Sequence, residues 1–264
     1  MTALALHTRA LRARGKKALV AYFTAAYPDD DTFAGMVRAA ADAGADVIEV
    51  GIPFSDPIAD GPVIQASSNA ALARGATLTR ALEAIARLAS DVRVPIVVMS
   101  YVNPILRMGV TRFAHAAAQA GVAGVVLPDV SFEESTPFRA ALRGAELAYV
   151  DLVAPTSENE RAREIARASQ GFVYLVSITG VTGSRAAGKA DVEAAAARVR
   201  AATETPVYVG FGIATPEAAA EIASVADGVI IGSRLVQLAG EGGARAAAGR
   251  VGDFVASVRA ALDR

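Results

Sequence analysis

The chain has 264 residues, 53% hydrophobic and 20% charged, which supplies a sizeable buried core and excludes a disordered polymer. Lys and Arg total 26 against 27 Asp and Glu, so a net charge of -1 gives no electrostatic basis for binding nucleic acid or an anionic membrane. The lack of cysteine excludes disulfides and thiolate metal sites and agrees with a reducing compartment.

Residues 1–17 mix Arg and Lys with Ala and Leu. They lack the unbroken apolar stretch of a signal peptide and read as an amphipathic surface helix. No stretch is long and apolar enough to span a membrane, so the expectation is a soluble, cytoplasmic protein. Short runs rich in Val, Ile, Tyr and Phe then predict strands at 18–25, 46–52, 95–102, 124–129, 148–154, 172–177, 207–212 and 228–232. Ala-rich helical stretches separate them. Strands alternating with helices pair in parallel, and eight such units close a barrel. The expected fold is therefore α/β, a single (β/α)8 TIM barrel over 1–264, with an N-terminal helix (1–17) and extra helices in the loops.

The punctuation supports these elements. Gly44, Gly121 and Gly171 precede strands where a left-handed residue ends a helix. Asp29 to Asp31 place negative charge on a helix start, Ser157 with Glu160 has a capping-box pattern, and Thr215 with Pro216 reads as an N-cap followed by proline. Two connections are unusual. One, 53–94, begins with a Pro/Gly/Asp loop and continues into two helical patterns; the other, TGVTGSRAAGKA over 179–190, is rich in glycine. Both follow strand C-termini, the face on which such barrels build active sites.

Glu49 lies within the second predicted strand, in DVIEVGIP. Alternation puts Val47, Glu49 and Gly51 on one face and Ile48, Val50 and Ile52 on the other, which directs Glu49 into the barrel mouth. Desolvation there raises a carboxyl pKa towards neutrality, as general acid/base work requires. A structural Glu held by an arginine or backbone amides is an equal alternative for a lone strand Glu. Asp60 stands in PFSDPIADGP, stiffened by Pro53, Pro57 and Pro62, where it is either turn chemistry or a carboxylate aimed over the mouth. Near the other end, GFGIATPE and GVIIGSR bring Gly210, Gly212, Gly232 and Ser233, with a short helix near Leu235, to the usual phosphate position of this fold.

The three lysines, Lys16, Lys17 and Lys189, lie on no predicted strand, which disfavours an imine-forming aldolase. His7 and His115 cluster with no carboxylates, so no metal site is expected. Tyr22, Tyr101, Tyr174 and Phe211 fall at strand ends, as core packing or as walls for a flat apolar ring.

EVGIPFSDPIADGPVIQ, followed in order by VSITGVTG, VYVGFGIATPE and VIIGSRLV, resembles the tryptophan synthase α chain family from about Leu19 to the last strand. The resemblance implies a lyase that cleaves indole-3-glycerol phosphate to indole and glyceraldehyde 3-phosphate, with Glu49 as acid/base and Asp60 at the indole N–H. It implies indole contacts from Tyr22, Tyr101, Leu127, Leu152, Tyr174 and Phe211, with Thr182 closing a mobile 178–190 lid against Asp60. It implies phosphate on Gly183, Gly212, Gly232 and Ser233. It further implies no cofactor in this chain, and a pyridoxal-phosphate β subunit as partner, in an α2β2 assembly. Pro53, Asp56, Pro57 and Asn103 match the family's interface positions, within a 53–75 active-site and interface loop. Two residues depart from the family pattern: Ile178 where some members carry arginine, and Tyr22 where phenylalanine is frequent. Other readings are a different phosphate-binding barrel enzyme, acting on a phosphoribosyl anthranilate, and a mainly allosteric subunit.

Overall fold

The computed structural model describes residues 1–154, 157–176, 189–210 and 212–264. Eight strands close into a barrel: β1 (Ala18–Thr24), β2 (Val47–Gly51), β3 (Ile96–Met99), β4 (Val122–Val126), β5 (Ala148–Val153), β6 (Val173–Val176), β7 (Val207–Gly210) and β8 (Gly228–Ile231). Each pairs in parallel with the next, and β8 returns to β1. The expected TIM barrel is the fold observed.

The strand period of two separates two cores. Val20, Tyr22, Val47, Val97, Val126, Val150, Tyr174, Tyr208 and Ile230 fill the barrel interior. Ile48, Val50 and Ile52 instead join Phe33, Met36 and Val37 in the layer between barrel and helices. Each fully buried Val, Ile or Leu contributes about 1.5–3 kcal/mol, so both layers are strongly specified. A one-residue slip would exchange them.

Helix ends follow the expected chemistry in most places. Gly44, Gly121 and Gly171 take φ of 106°, 83° and 82°. Asp29 caps the Asp30–Asp42 helix, accepting from Thr32 N at 2.8 Å, and Thr215 caps Pro216–Ala223, accepting from Ala218 N at 3.2 Å. The Ser157–Glu160 box does not form. Ser157 N donates to Ala154 O at 3.0 Å within a turn, and the Asn159–Ala168 helix starts after Glu158 without a side-chain cap.

Strand ends also differ from expectation. β4 begins at Val122 rather than Gly124, directly after the left-handed Gly121. Tyr101 and Val102, expected to close the third strand, start a helix instead: Tyr101 is the N-cap of Val102–Met108, and the Asp129 carboxylate accepts from Val102 N at 3.0 and 3.1 Å. The long second connection does contain two helices, Pro62–Ala73 and Leu78–Leu88.

The N-terminal helix covers Ala3–Ala13 and is amphipathic as expected, with Ala3, Leu6, Arg9 and Ala10 exposed and its other face buried against the barrel. Leu4 and Leu11 join the barrel interior cluster. Leu4 closes the floor against Gly124 and Gly171, where a Cβ would come within 2.8 and 2.5 Å of its Cδ2. Thr8 Oγ1 donates to Gly171 O at 2.6 Å. Beside this floor Asp46 gathers four groups: Lys16 Nζ at 2.7 Å, Arg259 Nη1 and Leu19 N at 3.0 Å, and, at its carbonyl, His7 Nε2 at 2.9 Å. Among the described residues no helix is long and apolar enough to cross a membrane.

Candidate active site

Glu49 sits at the centre of β2, with Tyr22 of β1 and Val97 of β3 as its register partners. It is 1% exposed, and neither carboxylate oxygen has a hydrogen-bond partner among the described residues. A structural Glu would hold an arginine or amides; this one holds nothing of the kind. Burial, and secondarily the charge of Asp60, pushes its pKa up to about 8.

Asp60 comes from the loop that β2 feeds. Its own N–H donates to Pro57 O at 3.0 Å and its carbonyl accepts from Gln65 Nε2 at 2.9 Å, so both sides of the residue are anchored. The Tyr101 hydroxyl accepts from Ala59 N at 3.0 Å and is hydrogen-bonded to the Asp60 carboxyl. Burial raises the Asp60 pKa to about 6, with the Tyr101 hydrogen bond opposing it. At neutral pH Glu49 therefore keeps a proton while Asp60 has mostly lost its own. Two coupled carboxyls thereby differ in protonation near neutral pH.

The walls are aromatic. Tyr101 stacks on Phe54 with ring centroids 5.3 Å apart at 28°. Phe54 was not anticipated; its signal was an aromatic set between prolines in an otherwise polar loop. Tyr22 and Tyr174 both belong to the interior cluster, and Leu152 packs on it from β5. Leu127 does not join them. It lies one residue beyond β4 on the opposite face and is buried in the barrel–helix layer.

Two glycines make room for the tyrosines. A Cβ at Gly51 would fall 2.0 Å from the Tyr22 hydroxyl oxygen, and one at Gly210 would fall 2.6 Å from the Tyr174 ring. Gly210, expected beside an anion, also leaves room for the Tyr174 ring. Gly212 has φ of 79° after β7, and Gly232 precedes the Ser233–Gly240 helix after β8, so the two loops leave paired neighbouring strands. Ser233 is exposed at that helix start. Leu235 turns into the barrel–helix core.

Of the expected interface residues, Asp56 and Asn103 are exposed, but Pro53 and Pro57 are buried within the chain and present no outer face. Their rings pack inward because they brace the loop. Ile58, directly after Pro57, is 81% exposed. Thr182, Gly183, Phe211 and Ile178 lie outside the described residues, as does all of the 178–190 stretch except its last two residues, which begin the Lys189–Arg200 helix. His7 sits on the floor and His115 is exposed on the Val110–Gln119 helix. Among the described residues no cluster of three or more His, Asp or Glu could hold a metal.

The chain matches the family model described as "Tryptophan synthase alpha chain" over residues 8–259. It is 45% identical over 252 residues to a protein of that name from Geobacter sulfurreducens, covering 96% of each chain. A Burkholderia thailandensis relative of the same name is 46% identical over 255 residues, covering 96% of this chain and 94% of the other. Among solved structures, tryptophan synthase subunit alpha from Legionella pneumophila aligns with a TM-score of 0.90 at 32% identity, over 100% and 99% of the two chains. A Mycobacterium tuberculosis tryptophan synthase structure aligns at 0.90 and 37% identity, over 99% and 98%. With a barrel of matching shape, an aromatic mouth and two carboxyls of divided protonation at its centre, the chain belongs to the tryptophan synthase α chain family.

Proposed function

We propose that Glu49 and Asp60 together carry out the family's lyase reaction, the cleavage of indole-3-glycerol phosphate to indole and glyceraldehyde 3-phosphate in tryptophan biosynthesis. The observation that carries the assignment is the buried, unpartnered Glu49 carboxyl, on which the charge of Asp60 acts. Glu49 delivers its proton to indole C3 while Asp60 takes up the positive character, and then the proton, at the ring nitrogen. The Glu49 carboxylate so formed removes the proton of the side-chain hydroxyl next to C3. The carbon–carbon bond breaks, its electrons return to the ring, and Asp60 gives the N–H proton back. Protons balance, and these steps call on no metal, lysine Schiff base or cofactor.

Tyr22, Tyr101, Tyr174 and Leu152 enclose the ring, and the two loops after β7 and β8 receive the phosphate through Gly212, Gly232 and Ser233. Thr182, Gly183 and Phe211 belong to the same reading through the family motif. A β chain carrying pyridoxal phosphate docks on the mouth near Asp56 and Asn103, in an α2β2 assembly. Exposed Ile58, next to Pro57, supports an apolar contact there.

The test is indole release by the purified chain from indole-3-glycerol phosphate, alone and with its β chain, in wild type and Glu49→Gln. We expect release by wild type, faster with the partner, and a loss of at least about 100-fold in kcat in the variant with substrate binding kept, since positioned acid–base groups contribute roughly 10²–10⁴-fold. Turnover retained in Glu49→Gln would remove Glu49 from the mechanism, and no indole even with the partner would sink the lyase reading.

A further inference from the structure

One peptide unit beside the mouth is gripped from both sides. Just past β3 the Ser100 hydroxyl donates to the Tyr101 carbonyl at 2.9 Å. The amide of that same peptide, Val102 N–H, donates to both Asp129 oxygens at 3.0 and 3.1 Å. Ser100 is 1% exposed and Asp129 is half-buried. Tyr101 stands at the N-cap position of the Val102–Met108 helix, yet its side chain accepts from no amide of that helix. The capping carboxylate comes instead from 27 positions along the chain, beyond the end of β4 at Val126. A residue that caps its own helix needs a short polar side chain. With Asp129 doing the capping, position 101 is free to carry a long aromatic one.

That side chain goes to the Asp60 loop. The Tyr101 hydroxyl accepts from Ala59 N at 3.0 Å, immediately before Asp60, and its ring stacks on Phe54. The downstream end of the loop is fixed separately: the Thr24 and Ser67 hydroxyls, 2.7 Å apart, join β1 to the Pro62–Ala73 helix. The backbone bonds of Asp60 itself, to Pro57 O and from Gln65, stay within the loop and that helix. Tyr101 thus ties the middle of the loop to the end of β3. The direction in which its ring leaves the backbone follows from the plane of the peptide that Ser100 and Asp129 hold. Because the hydroxyl accepts from Ala59, its own proton is available to the Asp60 carboxyl, in keeping with the bond that opposes the rise of the Asp60 pKa. The ionisable groups bearing on Tyr101 are Asp60 and Asp129, and Asp60 in turn bears on Glu49, Tyr22 and Tyr174.

We propose that Asp129 and Ser100 are positioning residues for Asp60, which act by fixing the 101–102 peptide and with it the Tyr101 ring that holds the loop. The part Asp60 plays in catalysis rests on the lyase reading above; the grip on its loop does not.

The test reads the full chain first without substrate, by amide hydrogen exchange at Ala59 and a carbon-13 carboxyl titration of Asp60, and then by indole release. Asp129→Ala removes the acceptor of Val102 N–H. Loss of a negative charge by itself lowers the Asp60 pKa, whereas loss of the Tyr101 hydrogen bond raises it, so the two causes differ in sign. We expect faster exchange at Ala59 and an Asp60 titration moved upward by about half a pH unit. We expect kcat/KM for indole release to fall by about 10- to 100-fold, as for small misplacements of reacting groups. Asp129→Asn keeps an oxygen for the amide and restores exchange, titration and activity. Ser100→Ala, a small change at a buried site, moves all three in the same direction as Asp129→Ala by less. In a Tyr101→Leu background Asp129→Ala adds nothing further. An Asp60 titration that stays or falls in folded Asp129→Ala, or in Ser100→Ala where the former does not fold, overturns the proposal. So do equal shifts in Asp129→Ala and Asp129→Asn, or effects that add to those of Tyr101→Leu. Substrate-free readings as described, in a wild type that releases no indole, overturn the lyase reading alone.

Discussion

Glu49 is held where it is least stable as an anion, and the consequence can be measured apart from catalysis. Its carboxyl titrates near 4.5 when unfolded and near 8 when folded. Between those values the unfolded chain has released a proton that the folded chain keeps, so stability falls as pH rises through the window and levels off above it. A shift of that size corresponds to roughly 5 kcal/mol as an upper bound. Asp60, raised to about 6, adds a smaller fall of the same sign. Glu49→Gln carries no such charge. It should match wild type in urea denaturation at pH 4 and be more stable by a few kcal/mol at pH 8. An equal difference at both pH values would mean that ordinary packing, not an ionisable site, governs this position.

At the scale of elements, the barrel places its tyrosines by leaving side chains out. Gly51 ends β2 where the Tyr22 hydroxyl needs its space, so Gly51→Ala should cost about 1–3 kcal/mol through forced movement of that ring. Gly249, exposed in the Ala247–Leu262 helix with nothing within 4 Å of its absent Cβ, provides the opposite case. Gly249→Ala should stabilise by about 0.5–1 kcal/mol, and thermal melts of the two variants check both signs. These glycines also mark what could be read from the sequence. Eight strands, their inward and outward faces and the position of Glu49 were legible because alternation and apolar runs are local signals. The Tyr174 contact of Gly210 was not legible, because a glycine that admits a tyrosine from the neighbouring strand looks the same as one that admits an anion. Leu127 misled for a related reason: one residue past a strand, facing is set by the turn and not by the motif. The Thr24–Ser67 hydroxyl pair was invisible, since its members stand 43 positions apart in the chain.

Across the whole molecule the two ends of the barrel have separate duties. The mouth holds groups kept out of their comfortable protonation states, while the floor holds paired ones. Asp46 joins the segment before β1, the backbone of β1 and the C-terminal helix through Lys16, Leu19 and Arg259. Arg259 also donates to Lys17 O at 2.9 Å. Removing the carboxylate leaves Arg259, 9% exposed, with only the exposed Asp263 at 2.7 Å as an ionic partner, and takes the anion from Lys16 as well; breaking a buried pair costs up to about 3–5 kcal/mol. Asp46→Ala should therefore lower the melting temperature sharply while kcat for indole release at a temperature well below the melt stays within about twofold. A parallel loss of kcat in protein shown to be folded would contradict the separation.

The fit of Leu4 against Gly124 and Gly171 gives that separation a further meaning. A vessel stoppered at its base has a single port. Substrate entry, the departure of both products and any exchange of water must take turns through the same opening, so whatever occupies the mouth sets the order of traffic for the whole cycle.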